Sequence, residues 1–372
     1  MQIPIRKELS RPSCLVVKIG SRILTAPGNE QRIATLVEDI SSLHASKTRI
    51  IVVSSGAIAH GMEALNLKKR PTSVPMQQAC ASIGQHRLMQ RYEQRFAAAG
   101  ILIGQVLLTW DDLRSKKRYL NLRNTLFSLL DSDVIPIVNE NDSVGVEEIR
   151  FGNNDMLGAQ IALLTQADLF VNLTDVGGLY DRNPHTDSSA RHIPIVTSMS
   201  ASVRKMAEDH KKEISVGGMA TKLKAAEIAT RAGIHALIGD GFDQSLRDVL
   251  SNPLCATLFM PQEHKMSSKH RWIAFTGQSC GTLTIDAGAG NALIKQGKSL
   301  LPAGVRDVSG NFKAGETVDV ATQDGSLIAK GLVNYCSDEI LLIKGCKSSE
   351  ITLRLGSSPF DEVIHRDNLV LL

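Results

Sequence analysis

Short apolar runs alternate with longer amphipathic stretches over the first two thirds of the chain. Cys14–Ile19 (CLVVKI), Arg49–Val53 (RIIVV), Ile101–Leu108, Val134–Val138, Asp168–Leu173 and His235–Ile238 (HALI) are rich in Val, Ile or Leu and bounded by Gly, Asn, Asp or Ser. That pattern predicts buried strands. Between them, Gln31–Ala45 places Ile33, Leu36, Val37, Ile40 and Leu43 at three- and four-residue steps, the apolar face of a helix. Met76–Ala99, Lys117–Leu130, Asp155–Gln166 and Thr221–Ala232 repeat this period. Near-continuous apolar strands alternating with helices predict an α/β fold, a mostly parallel sheet sandwiched by helices.

The pattern changes near residue 264. Glu263–Arg271 (EHKMSSKHR) is polar and charged and reads as a linker or bridging helix. Beyond it come one short helical stretch, about Gly288–Gln296, and short strand patterns at Gly281–Ile285, Thr317–Val320, Leu327–Val333 and Ile340–Ile343. The expected division is a large domain over 1–263, a linker over 264–279 and a small β-rich domain over 280–372.

Composition narrows the function classes. At 43% hydrophobic residues the 372-residue chain can bury a sizeable core and is not a disordered protein. No apolar run approaches the roughly 18 residues of a membrane span, and the charged start MQIPIRKELSRPS carries no signal-peptide core. Six scattered cysteines form no C-x-x-C pair, which disfavours zinc and disulfide frameworks and leads to the expectation of a reducing cytoplasm. Ten histidines form no H-x-x-x-H or H-E-x-x-H, so no metal site is expected from side chains alone. A net charge of +4 is small for this length and disfavours a dominant nucleic-acid role.

Ligands in open α/β sheets bind at the carboxyl ends of the strands. The first strand ends in Lys18-Ile19-Gly20-Ser21, and a lysine inside an apolar run is costly to bury unless something pairs with it. The second ends in Ser54-Ser55-Gly56, small residues that expose backbone N–H groups to an anion or serve as a helix cap. After the fourth come Asn139-Glu140-Asn141-Asp142-Ser143 and then Gly152-Asn153-Asn154-Asp155, dense enough in amides and carboxylates to hold an amino-acid zwitterion. Asp142 suits an ammonium group and the amides suit a carboxylate. Thr174-Asp175-Val176-Gly177-Gly178 follows the fifth strand, and Gly217-Gly218-Met219-Ala220-Thr221-Lys222 opens a helix as phosphate-binding loops do, without Walker A spacing.

The set V-V-K-I-G-S, V-V-S-S-G-A-I-A, N-E-N-D, G-N-N-D-M-L, L-T-D-V-G-G-L-Y and G-G-M-A-T-K resembles, in order and spacing, the amino acid kinase family. Within it, the likeness is to the branch acting on the side chain of L-glutamate. The tail independently resembles a PUA domain through Leu283–Gly288, Gly297–Gly304 and Val308–Phe312. The likeness runs from about Cys14 to the end of the chain.

The resemblance implies transfer of the γ-phosphoryl group of ATP to the side-chain carboxylate of L-glutamate, the opening step of proline synthesis. It implies that Lys18 and Lys222 contact phosphoryl oxygens and that Asp155 holds both lysines. Gly20, Thr174, Asp175, Gly217, Gly218, Met219, Ala220 and Thr221 would line the nucleotide site. Ser55, Asp142 and Asn154 would bind L-glutamate, with Asn139 and Asn141 supporting that loop. Mg²⁺ would ride on ATP oxygens and water, and proline inhibition and a homo-oligomer are further expectations. Two positions depart from the family: Asn153 stands where Asp is common, and Ser215-Val216 where Gly-Thr is common. Both bear on affinity more than on reaction type.

Three rivals remain open. A kinase for N-acetylglutamate or aspartate is disfavoured by Asp142, which needs a free ammonium partner, and by the PUA-like tail. An RNA-binding role is disfavoured because twelve Lys and Arg face eleven Asp and Glu beyond residue 264, without a basic stripe. A ligand-sensing pseudo-kinase is disfavoured by the intact Lys18, Lys222 and Asp155.

Overall fold

The computed structural model describes residues 9, 11–26, 28–145, 154–184, 186–208, 218–262, 268–275, 279–357 and 360–372. It contains two compact units: Met1–Asp112 with Lys117–Lys265, and Leu113–Lys116 with Met266–Leu372. Gly152, Asn153, Ser215, Val216 and Gly217 lie outside the described residues.

The six predicted strands form the body of one sheet. They are β1 (Cys14–Ile19), β2 (Arg49–Ser54), β3 (Ile103–Leu108), β4 (Ile135–Glu140), β5 (Leu169–Thr174) and β9 (His235–Asp240). Short additions, β8 (Ile195–Val196) and β10 (Ala256–Phe259), complete the order β3-β4-β2-β1-β5-β9-β10-β8. A separate two-stranded ribbon joins β6 (Leu179–Tyr180) to β7 (His192–Ile193). All pairs in the large sheet are parallel except β9 with β10. From β1 the chain moves out to β2, β3 and β4 on one flank, then returns to place β5 on the other. The loops after β1 and β5 therefore diverge, opening a crevice at the carboxyl ends of those strands.

Helices cover both faces because the strands are apolar on both faces. On one face Leu15, Val17 and Ile19 join a core with Ile33, Leu36, Val37 and Ile40 of α2 (Asn29–Ala45), which follows the short α1 (Ser21–Thr25). Leu88, Tyr92 and Phe96 of the helix Val74–Ala98 enter the same core. That helix, α4, crosses α3 (Ala57–Ala64) at two glycines. A Cβ on Gly84 would lie 1.7 Å from the Ala57 carbonyl oxygen, and one on Gly61 would lie 1.8 Å from that of Cys80. Only glycine permits so close a backbone approach. Beyond them, α5 (Lys116–Asp131) leads into β4.

The other face carries α6 (Asn154–Thr165) and α7 (Met219–Arg231). Every residue of α6 after Asn154 is buried, as its apolar sequence on all sides demands. A Cβ on Gly158 would sit 2.7 Å from the Phe170 ring and 3.2 Å from Lys18 Cβ, so this glycine lets α6 lie directly on β1 and β5.

Three sequence expectations need correction. Ile103–Leu108 is not a buried strand: it is the sheet edge, where Leu107 is exposed and only Leu108 is buried. Asn139 and Glu140 do not belong to the loop after the fourth strand but are its last two residues, both buried. In the second unit, Ile340–Ile343 is helical, within Ser337–Ile343. Ile340 and Ile343 are buried while Leu341 and Leu342 are exposed, which is helical and not strand alternation. The missed signal was Glu339, whose carboxylate accepts from the Cys336 N–H at 2.8 Å and caps the helix start.

That unit is built on a five-stranded sheet, β12 (Val305–Gly310), β11 (Gly281–Ile285), β13 (Thr317–Thr322), β14 (Leu327–Leu332) and β15 (Leu369–Leu371), in that order. β11 and β13 are parallel and the other neighbours antiparallel. Leu283, Ile285, Phe312, Val318, Val320 and Tyr335 form its core. Among the described residues no helix is long and apolar enough to cross a membrane.

Candidate active site

The crevice between the loops after β1 and β5 holds a buried ionic centre. Alternation along β1 turns Leu15, Val17 and Ile19 to one face and Lys18 to the other, beneath α6. There Lys18 Nζ donates to Asp155 Oδ1 at 2.5 Å. Lys222, in the first turn and a half of α7, reaches Asp155 Oδ2 at 3.4 Å. The exposures are 6% for Lys18, 3% for Asp155 and 8% for Lys222, so none is a surface charge. Thr221 Oγ1 donates to Asp155 Oδ2 at 2.8 Å and Asn172 Nδ2 donates to Oδ1 at 3.0 Å. Both carboxylate oxygens are thus engaged twice.

The electrostatics follow from this packing. Burial alone would raise the Asp155 carboxyl, but the charges of Lys18 and Lys222 and the hydrogen bonds from Lys18 and Thr221 hold it well below the usual carboxylate range. Burial lowers the Lys18 ammonium from the ordinary lysine value; Asp155 counters this in part and the Lys222 charge adds to it. Two cations on one anion leave a net positive charge at the end of the sheet.

Gly20 follows β1, and its N–H donates to the Leu173 carbonyl at 3.0 Å. A Cβ there would lie 3.1 Å from that oxygen and 4.0 Å from Lys18 Nζ. Thr174 closes β5 and donates through Oγ1 to Asp175 Oδ1 at 3.0 Å, while Arg22 of α1 pairs with the other Asp175 oxygen. Burial would raise Asp175, but its backbone and Thr174 hydrogen bonds and the Arg22 charge bring it below the ordinary value. Gly218 is the N-cap of α7 and would meet nothing within 4 Å of an added Cβ. Met219 and Ala220 start that helix, half-buried.

A neutral polar cluster adjoins the ionic centre through Asn154, the residue before Asp155. Asn154 Nδ2 donates to Ser54 O at 3.1 Å, to Ser55 Oγ at 3.0 Å and to Asn139 Oδ1 at 2.9 Å. It thereby joins the ends of β2 and β4. Ser55 is not a helix cap: Gly56, at φ 98°, is the N-cap of α3, and the Ser55 hydroxyl accepts from Asn154. Asn141 donates its N–H to the Leu108 carbonyl at 2.8 Å, and its own carbonyl accepts from Val144 and Gly145. Asp142 sits half-buried in the turn so formed.

The structure therefore brings Lys18, Asp155, Thr221 and Lys222 together, and joins Ser55, Asn139 and Asn154 beside them. Sequence reasoning missed Asn172, although it interrupts the apolar run LFVNLT as Lys18 interrupts CLVVKI. In the sheet the two are direct neighbours, Lys18 opposite Asn172. It also missed Gln85 of α4, whose Oε1 accepts from Asn139 Nδ2 at 2.8 Å, and Tyr92, whose hydroxyl lies 3.0 Å from Ser54 Oγ.

Comparison with known proteins shows the family. The amino acid kinase family matches residues 13–240, and the PUA domain matches 281–354. A protein named glutamate 5-kinase from Syntrophus aciditrophicus (strain SB) is 42% identical over 96% of this chain and 94% of its own length. One of the same name from Carboxydothermus hydrogenoformans is 43% identical over 99% of this chain and 100% of its own. A third, from Geobacter sulfurreducens, is 43% identical over 98% of this chain and 99% of its own. With one family spanning the crevice-forming sheet and a PUA domain after it, the chain belongs to the amino acid kinase family.

Proposed function

We infer that this chain transfers the γ-phosphoryl group of ATP to the side-chain carboxylate of L-glutamate, giving L-glutamyl 5-phosphate for proline synthesis. Full-length similarity to glutamate 5-kinases supports the reaction. The observation that carries it structurally is one buried carboxylate, Asp155, holding two buried ammonium groups at the carboxyl ends of β1 and β5.

The chemistry asks little of the protein beyond position and charge. The acceptor carboxylate is already ionised, so no general base is required. One of its oxygens forms a bond to the γ-phosphorus as the bond to the β,γ-bridging oxygen breaks, and that electron pair leaves on ADP. Lys18 and Lys222 neutralise the migrating group from opposite sides, and Asp155 keeps both aimed. Gly20, Gly217 and Gly218 admit the phosphates close to backbone, with Thr174, Asp175, Met219, Ala220 and Thr221 along the nucleotide. Ser55, Asp142 and Asn154 bind L-glutamate, and Asn139 and Asn141 shape that pocket.

Mg²⁺ would be held by ATP oxygens and water. Both Asp155 oxygens are already taken by Lys18, Asn172, Thr221 and Lys222, a donor set suited to receive phosphate oxygens that carry their own cation. Bound there, the cation neutralises phosphate charge. Proline inhibition, a homo-oligomer and a cytoplasmic location, which suits six cysteines that form no disulfide, belong to the same reading. The PUA domain is read as a structural or regulatory appendage without RNA affinity.

The test is ADP formation with L-glutamate, against N-acetylglutamate and L-aspartate as alternative acceptors, with and without proline. L-Glutamate supports turnover and the others do not. Turnover with N-acetylglutamate in its place would make the acceptor assignment wrong.

A further inference from the structure

α4 forms a polar wall behind the neutral cluster, although only its apolar face is evident from periodicity. Gln78, Ser82, Gln85 and Tyr92 are spaced by four, three and seven residues, which places them on one stripe. Ser82 Oγ donates to Ser143 Oγ at 2.9 Å in the loop after β4, and Gln78 Nε2 approaches the Gly145 carbonyl at 3.5 Å. Tyr92 meets Ser54 at the end of β2. Gln85, the most central, meets Asn139.

The amides form a ladder whose polarity is set at both ends by backbone groups, which cannot flip. The Glu140 N–H donates to Asn139 Oδ1 at 2.8 Å, so the Asn139 amide nitrogen must face Gln85. Gln85 then has to present oxygen to it, and does so at 2.8 Å. At the other end Ser54 contributes a carbonyl, so Asn154 must turn its nitrogen inward. Its Oδ1 is buried and has no hydrogen-bond partner among the described residues. A buried acceptor left open in this way fits a donor supplied by a ligand.

We propose that Gln85 is a positioning residue for the acceptor substrate: it locks Asn139, and through Asn139 the Asn154 amide, so that Asn154 Oδ1 is offered to the ammonium of the amino acid. This rests on the reading of L-glutamate as acceptor. Asn154 thus reads the ammonium and not a carboxylate, because an oxygen cannot donate.

Kinetics of the full chain test it. Gln85→Met keeps length and removes the oxygen, leaving Asn139 Nδ2 unsatisfied; KM for L-glutamate rises about tenfold while KM for ATP changes less than about twofold. Gln85→Asn withdraws the oxygen by one methylene, gives the same split, and serves should Gln85→Met not fold. Gln85→Glu restores an oxygen facing Asn139 and returns KM for L-glutamate to within about threefold of wild type. Unchanged KM for L-glutamate in Gln85→Met and Gln85→Asn, equal rises for both substrates, or no recovery in Gln85→Glu would each overturn the role of Gln85 while leaving the reaction assigned. A wild-type protein that does not turn over L-glutamate would overturn both.

Discussion

Lys18 and Asp155 are 137 residues apart in the chain and 2.5 Å apart in the fold, both almost fully buried. The contact exists because Gly158, one turn into α6, lets that helix rest on the strand that carries Lys18. Asp155 is therefore the common anchor of Lys18 and Lys222, and its removal leaves two buried ammonium groups without their counter-charge. Asp155→Asn is expected to lower kcat by at least about a hundredfold and stability by about 3–5 kcal/mol. Single-turnover kinetics and thermal unfolding of the same preparation measure the two effects; a variant with near-normal kcat would contradict the anchor role.

On the proposed mechanism the two lysines act on the migrating phosphoryl group more than on ground-state ATP. Lys18→Ala and Lys222→Ala should each reduce kcat by about a hundredfold or more, with a smaller change in ATP affinity. Equilibrium nucleotide titration alongside steady-state kinetics separates these. Loss of ATP binding with kcat retained at saturation would show that they serve binding only.

Asp142 lies half-buried in the turn that follows β4, and the proposed function makes it a ligand of the acceptor. Asp142→Ala is expected to raise KM for L-glutamate about tenfold or more and leave KM for ATP nearly unchanged, as loss of a charged hydrogen-bond acceptor does. A change confined to ATP would place this loop on the wrong substrate.

The ionic centre predicts opposite pH behaviour for activity and stability. Asp155 is depressed in the folded state, so its stabilisation is present above pH 3.8, the ordinary carboxylate value, and is lost only as pH falls through its lower folded value. Lys18 is lowered from 10.5 in the folded state. Between that lowered value and 10.5 the unfolded chain binds more protons, so this group's contribution to stability rises with pH while the ammonium on which the proposed transfer relies disappears. An alkaline limb in kcat/KM for ATP should therefore fall below pH 10.5 with the fold intact, and lie higher in kcat, where bound triphosphate favours the ammonium. Circular dichroism over the same range checks that unfolding is not the cause.

Glycine at the crossing of α3 and α4 is a packing requirement. Gly84→Ala would bring a methyl within 1.7 Å of the Ala57 carbonyl oxygen. The helices must separate, at a cost of about 1–3 kcal/mol or more, and the melting temperature should drop by several degrees. The same change at Gly100, where an added Cβ meets nothing within 4 Å but φ is 71°, instead measures left-handed backbone strain, which the helical Gly84 does not carry.

Sequence alone determined the alternation of strands and helices, because burial of both sheet faces writes itself as apolar runs and 3.6-residue periods. It also exposed Lys18, a charge in an apolar run that burial makes costly unless paired. The tail was less legible at Ile340–Ile343, since four apolar residues carry no usable period and the deciding contact was a cap from Glu339. Tertiary structure decided which groups share a partner. Asn172 joins Asp155 only because β5 lies beside β1 in register, and Gln85 and Tyr92 reach the ends of β4 and β2 only because α4 crosses α3 at glycine contact. Periodicity gives the face a residue occupies, but not what faces it. Strand order and helix approach set that, through contacts between residues far apart in the chain.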